Sequence, residues 1–312
     1  MYRQMLISLI IIGLSVLAIG AEKTWHLKEG SEWVDVSTEA KGGYLLAVTE
    51  LKQYVTIGQA KKVELALAQI KKNYPNIVGE DMDAFGQGEM LYARKKFFKA
   101  FGQYNRFMDS FPQSALTDAA LERQYEIARM FLYGQKKSVS IFKFRAYEEA
   151  AGMVEQIAER TGDAPIAKRA MKTMVQSYED RKEFTEAYYR WSDIQDKWPT
   201  GQIAQEALLG MARNLHASYR GPKYDASMLD SARDYYTNFS TRYSPQAHQQ
   251  GVGAIINEID EQISDKQLDI ALYYERTSST TAANLYFQRI ADEWPKSAAA
   301  KIAINKLEKH EL

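Results

Sequence analysis

Six times along the chain an alanine, or once a valine, is followed by large apolar or aromatic side chains four, seven and eleven places on. Ala100, Tyr104, Phe107 and Phe111 lead into Pro112; Ala187, Trp191, Ile194 and Trp198 into Pro199; Ala283, Phe287, Ile290 and Trp294 into Pro295; Val63, Leu67, Ile70 and Tyr74 into Pro75. Two looser copies follow the rule: Ala232, Tyr236, Phe239 and Tyr243 with Pro245 one place late, and Ala150, Val154, Ile157 and Thr161 with Pro165 displaced. At 3.6 residues per turn these offsets fall on one helical face, a stripe that must be buried against a neighbour. The proline cannot continue the helix and biases the preceding residue away from helical geometry. The pattern therefore predicts six helices of one kind, each stopped after its last large residue.

Between the stripes lie other helical patterns, among them "TDAALERQYEIARMFLYG", "APIAKRAMKTMVQSYED" and "QIAQEALLGMARNLHASYR". Each unit then reads as a helical hairpin in which the small first residue of the stripe admits the partner helix closely. Stripe starts are 37 to 51 residues apart, against roughly 34 for a minimal tetratricopeptide unit. The predicted fold is all-α, a tetratricopeptide-like α-solenoid of about five to six helical hairpins over residues 38–312. Residues 22–37, with Gly30, Trp25 and Trp33, show no clear period and are expected to form an irregular arm. Breaks are expected at "NIVGEDMDAFGQG", "GQKKSVS", "RTGDAP" and "YRGPKYD". One segment, 245–276, is longer than its counterparts and has an apolar seam of Ile255, Ile259, Ile263, Leu268 and Ala271; it is expected either to project beyond a standard hairpin, offering surface to another protein, or to kink near Gly251 and Gly253.

Residues 1–21 pair a basic Arg3 with an apolar run and small residues Ala18, Gly20 and Ala21, the make-up of a signal peptide. The chain has no cysteine, so an exported form would rest on packing alone, without disulfides or a lipid-bearing thiol. Forty basic side chains balance forty acidic ones, which argues against a nucleic-acid partner. The four histidines are scattered, "GEDMDAF" lacks the spacing of a calcium loop and reads as acids at a helix start, and no strained serine turn is present. No enzyme, cofactor or metal is expected. Most tyrosines and tryptophans fall on stripes or facing helices and are expected to interlock there. Tyr125, Tyr178 and Tyr219 of the facing helices are the candidates for contacts along a groove.

The stretch from "KYDASMLDSARDYYTNFSTRYSPQ" through a long helix ending in Tyr273-Tyr274 to Trp294-Pro295 resembles the BamD family of outer-membrane protein assembly factors. The similarity is strongest over 221–307 and looser over 82–134. The chain departs from the family in lacking the lipid-bearing cysteine. After the tyrosine pair it carries Thr277, Ser278, Thr280 and Tyr286 where the family has Arg, Gly, an aromatic and Arg. The resemblance implies a non-catalytic scaffold in the periplasm, on the inner face of the outer membrane. There it would bind the barrel-assembly protein and unfolded barrel substrates, with Tyr273 and Tyr274 added to the partner-binding candidates. A second scaffold reading is a periplasmic repeat adaptor that coordinates cell-wall synthesis or envelope constriction. A lytic transglycosylase would need a lysozyme-like domain, and no segment is left to house one. If the stripes are core, Trp191→Ala or Phe107→Ala should cost roughly 3 to 5 kcal/mol in denaturant unfolding; unchanged stability would place the ring on the surface.

Overall fold

The computed structural model describes residues 25–27, 33–35, 40–75, 78–139 and 142–310. The leader and the side chains of Trp25 and Trp33 lie outside the described part. The described chain is all-α apart from two short hairpins, and it divides into two compact units at Arg123 and Gln124. The first unit holds β1 (Trp25–Leu27), β2 (Trp33–Asp35), α1 (Ala40–Thr56), α2 (Ala60–Asn73), α3 (Glu80–Ala93), α4 (Phe97–Ser110) and the first half of α5 (Thr117–Leu132). The second holds the rest of α5, then β3 (Lys136–Val139), β4 (Phe142–Arg145), α6 (Tyr147–Thr161), α7 (Pro165–Asp180), α8 (Phe184–Lys197) and α9 (Gly201–Ser218). It continues through α10 (Ser227–Arg242), α11 (Ser244–Gln249), α12 (Val252–Arg276), α13 (Thr280–Glu293) and α14 (Ala298–His310).

The six stripes are the buried faces of α2, α4, α6, α8, α10 and α13. At their first three positions every side chain is buried except Leu67, which is half-buried. The small start and the large sequel are both used. A Cβ added at Gly88 of α3 would collide with the Tyr104 ring, and one at Gly210 of α9 with the Trp191 indole. Those glycines are the notches that receive the stripe.

Tyr74, Phe111, Trp198, Tyr243 and Trp294 each stand at a helix C-cap, with φ between −128° and −133° and ψ between 47° and 78°. Each still donates its N–H to the carbonyl four residues back. The aromatic thus closes the last helical bond while its own backbone has left the helix, in keeping with the exclusion of helical geometry before Pro75, Pro112, Pro199 and Pro295. Pro165 and Pro245 then sit in the first turns of α7 and α11, where a missing N–H costs nothing.

At five of the six joints that precede a stripe helix the other end is closed by a recurring turn, the α9–α10 joint being the exception. Lys95, Lys182 and Ser278 have φ of 58°, 60° and 59°, and Gly58 and Gly134 have 75° and 90°. Each donates its N–H three residues back and the next residue donates five back, as in Lys182 to Glu179 at 2.9 Å and Glu183 to Tyr178 at 3.0 Å. This is a Schellman closure. In four cases the second donor, Gln59, Lys96, Glu183 or Ser279, is also the N-cap of the following helix, and its carbonyl accepts from the first residue of the stripe.

Two expectations are corrected, and of the two alternatives for 245–276 the structure shows the break near Gly251. The arm at 22–37 is not wholly irregular: β1 and β2 pair antiparallel, with Trp25 opposite Asp35 and Leu27 opposite Trp33. "GQKKSVS" is not merely a break, because β3 pairs with β4, Lys136 opposite Arg145 and Val139 opposite Phe142. The long segment 245–276 is interrupted at Gly251, whose φ of 66° is left-handed and separates α11 from α12. Its apolar seam is buried. Ile259 and Ile263 pack with Leu208, Leu215, Tyr236 and Phe239 of α9 and α10, while Leu268 and Ala271 pack with Phe287, Ile290 and Ala300 of α13 and α14. The extra length of α12 is spent serving two hairpins.

"GEDMDAF" does open a helix. Glu80, Asp81 and Asp83 occupy the first turn of α3, and Asp81 accepts from the Met82 N–H and the Ser114 hydroxyl. The exposed, left-handed Lys182 should gain about 0.5 to 1 kcal/mol when changed to glycine, which has no Cβ to strain that conformation. The shift in denaturant midpoint checks this.

Candidate functional site

In the second unit a cleft of about 720 Å³ opens between α7 and the start of α9. Its α7 wall follows from helical periodicity. Ala167, Ala170, Met171, Met174 and Val175 face the core, which leaves Lys168, Arg169, Lys172, Thr173 and Gln176 to line the cleft. Thr200, Gly201, Gln202, Ile203 and Glu206 form the opposite wall, and Tyr133 and Asp163 complete it. Thr200 caps α9 without a side-chain hydrogen bond, and the first turn of α9 carries no acid.

Three cations therefore face two carboxylates. Lys172 is paired with Glu206, Lys168 lies 5.7 Å from the Trp198 ring centre, and Arg169 lies 4.5 Å from that of Tyr125. Tyr133, 56% exposed, and the half-buried Ile203 add apolar surface. Burial and the nearby Asp180 hold the Tyr133 phenol above its ordinary value, so it stays a neutral donor. A cleft of this make-up can hold an extended segment with mixed apolar and acidic side chains. Among the described residues no group of His, Cys, Asp and Glu could hold a metal ion.

The five tyrosines singled out from sequence are not brought together. Tyr125, on α5, lies behind the cleft and braces it: its hydroxyl is 3.0 Å from that of Thr173, and Arg169 covers its ring. Tyr178 is 2% exposed, so it is core rather than groove surface; the alanine and methionine face of α7 carries it inward. Burial chiefly raises its pKa, with Glu148 adding to the effect. Tyr219 caps the end of α9 with its hydroxyl buried and unpartnered, and its pKa is raised by burial and by Asp265 and Asp269. Tyr274 is stacked on Tyr286 at 5.6 Å and 19°, which leaves Tyr273, 55% exposed, as the outward ring of the pair. The cleft cations and Tyr133 escaped the sequence reading because a charged helix face looks the same whether it fronts open solvent or a neighbouring helix. The spacing of Lys168, Lys172 and Gln176 was the available signal.

Carboxylates elsewhere, one buried and two half-buried, are structural clasps. Glu89 of α3 and Arg123 of α5 are each 2% exposed and paired through two contacts, Nε to Oε1 at 2.9 Å and Nη2 to Oε2 at 3.0 Å. Tyr104 donates to Oε1 of the same glutamate at 2.5 Å, and Arg123 also reaches the Lys52 carbonyl and Thr56 of α1. Burial first, then the glutamate charge, pushes the Tyr104 phenol well above its usual range. Glu179 plays the same part in the second unit, accepting from Trp191 at 3.0 Å and Asn214 at 2.7 Å. Glu275 accepts from Lys306 and lies 3.2 Å from the His310 ring nitrogen. The contact with Lys306, then the charges of Lys306 and His310, hold the Glu275 carboxyl below its ordinary value.

Compared with known proteins, the chain matches no family model and no curated sequence at a significant level. Arg123→Met should cost about 3 to 5 kcal/mol in denaturant unfolding by stranding the Glu89 charge, and adding Glu89→Leu should restore part of it.

Proposed function

We propose that the chain is a non-catalytic periplasmic scaffold, similar in role to the BamD subunit of the β-barrel assembly machinery, that holds the barrel-assembly protein and segments of unfolded barrel substrates. The observation that carries this reading is the α7–α9 cleft, about 720 Å³ with a cationic wall and an exposed Tyr133 at its rim. A cleft between successive helices of an array is a ready seat for an extended or helical partner segment. The sequence resemblance over 221–307 and the exposed Tyr273 on α12 add a second surface for a partner.

The rest of the chemistry points the same way. The polar clusters around Glu89, Glu179 and Glu275 bind helices to one another. Among the described residues no helix is long and apolar enough to cross a membrane. In this reading attachment to the outer membrane comes through protein partners or through a retained N-terminal segment.

The test is photocrosslinking in the native envelope from residues placed at Tyr133 and at Ile203. The expected result is an adduct with a β-barrel protein that carries periplasmic domains, lost when Lys168 and Lys172 are both changed to Glu. Adducts with cell-wall enzymes or constriction proteins, and none with a barrel protein, would move the function to the envelope-constriction adaptor.

A further inference from the structure

The joints α2–α3 and α8–α9 are built to one plan and finished differently. In each, a glycine stands eleven residues beyond the stripe's proline, Gly86 after Pro75 and Gly210 after Pro199, and faces the second residue of the stripe. At α8–α9 that residue is Trp191, 6% exposed, and its indole fills the notch so fully that a Cβ on Gly210 would collide with it. At α2–α3 it is Leu67, and a Cβ on Gly86 would meet the nearer Leu67 methyl at 3.1 Å. Leu67 stays half-buried, alone among the second residues of the six stripes. The shorter side chain leaves a groove of about 620 Å³.

The groove follows α3 from residue 82 to residue 94, about 18 Å or three turns. Met82, Gly86, Met90 and Leu91 make its apolar floor, with Leu67 from α2 and the half-buried Val78. Methionine suits a floor that adapts to a guest side chain. The charges have a direction. Lys71 and Asp83 neutralise each other at 2.7 Å. Arg94, exposed at the C-cap of α3, has no side-chain ion pair among the described residues, and the exposed Lys95 and Lys96 follow it. The exposed Glu80 begins the other end of the helix.

We propose that the α2–α3 groove seats an amphipathic helix of a partner protein, laid antiparallel to α3, with a large apolar side chain against Leu67 and Gly86 and a first-turn acid at Arg94. Helices favour acids at the N-terminus and cations at the C-terminus, and α3 follows that rule. A guest running the opposite way sets its first-turn acids at Arg94 and its last-turn cations towards Glu80. Opposed helix dipoles favour the same direction. Three turns with apolar anchors at i, i+4 and i+7 match the length of the floor. All the lining residues belong to the first unit, so the site is distinct from the α7–α9 cleft and stands whichever partner that cleft receives.

The experiment pans a phage-displayed library of three-turn amphipathic helical peptides against the purified full-length chain, and measures the recovered peptides by fluorescence anisotropy. They should carry acids in the first turn and a large apolar anchor one turn later. Leu67→Trp places at this joint the side chain that its equivalent already uses, so it should fill the groove from within, keep thermal melting at or above the parent's, and weaken binding roughly thirtyfold or more. Arg94→Glu, a surface change, should weaken binding roughly tenfold and be rescued by peptides with lysine in the first turn. Recovery of no peptide overturns the proposal, as does binding that neither substitution alters. Binding that appears only after residues 1–21 are removed would also overturn it, by making the chain's own apolar segment the occupant. A self-association abolished by Leu67→Trp would do the same for a second copy.

Discussion

The structure depends on one packing constraint, a stripe of side chains four, seven and eleven residues apart that has to find apolar cover on both sides. A small residue at its start brings the partner helix near, and the large residues beyond it fill the space that is left. Tyr104 over Gly88 and Trp191 over Gly210 show how tight that fit is. The stripes of α2, α8, α10 and α13 are each covered by a helix before and a helix after, so none of these hairpins buries its own face alone. Repetition is therefore a requirement of the pattern.

Apolar stripes permit sliding, and the carboxylates of the first helices restrict it. Glu89, Glu179 and Glu275 each receive donors from a later helix. Each bond has a direction and a length, so it specifies one rotation of the helices about their axes. In the first unit the Glu89–Arg123 pair is buried; the guanidinium of α5 ties α1 and α3 together, and Tyr104 of α4 donates to the same glutamate. Breaking such a pair costs more than the pair contributes, because the surviving charge has no water to turn to.

The helical hairpins were legible because their signals are local. Ala187 to Pro199 states the face, its contents and its stop within thirteen residues. The β3–β4 hairpin was harder to read, since "KKSVS" offers polar residues that suit a loop equally well and its partner strand lies beyond a turn. The seam of α12 was visible, but its two destinations were not. Ile263 and Leu268 look alike in sequence, and only the helices that flank α12 divide them between separate clusters. At the candidate site the tyrosines were counted correctly and placed less well. Tyr178 and Tyr273 differ in helical phase against neighbours that a single sequence does not show.

The shared turn residue, at once the end of one closure and the cap of the next helix, has a consequence for how the chain is made. Both helix ends at such a joint are satisfied by backbone bonds among neighbours in sequence, so a hairpin closes without waiting for distant parts of the chain. Contacts of short sequence separation form early and fast. A polypeptide delivered end first, as from a ribosome or a translocation pore, can complete one hairpin while the next is still arriving. Each finished unit then becomes the template on which its successor settles, and the exposed stripe at the growing end is covered within one repeat's length of synthesis.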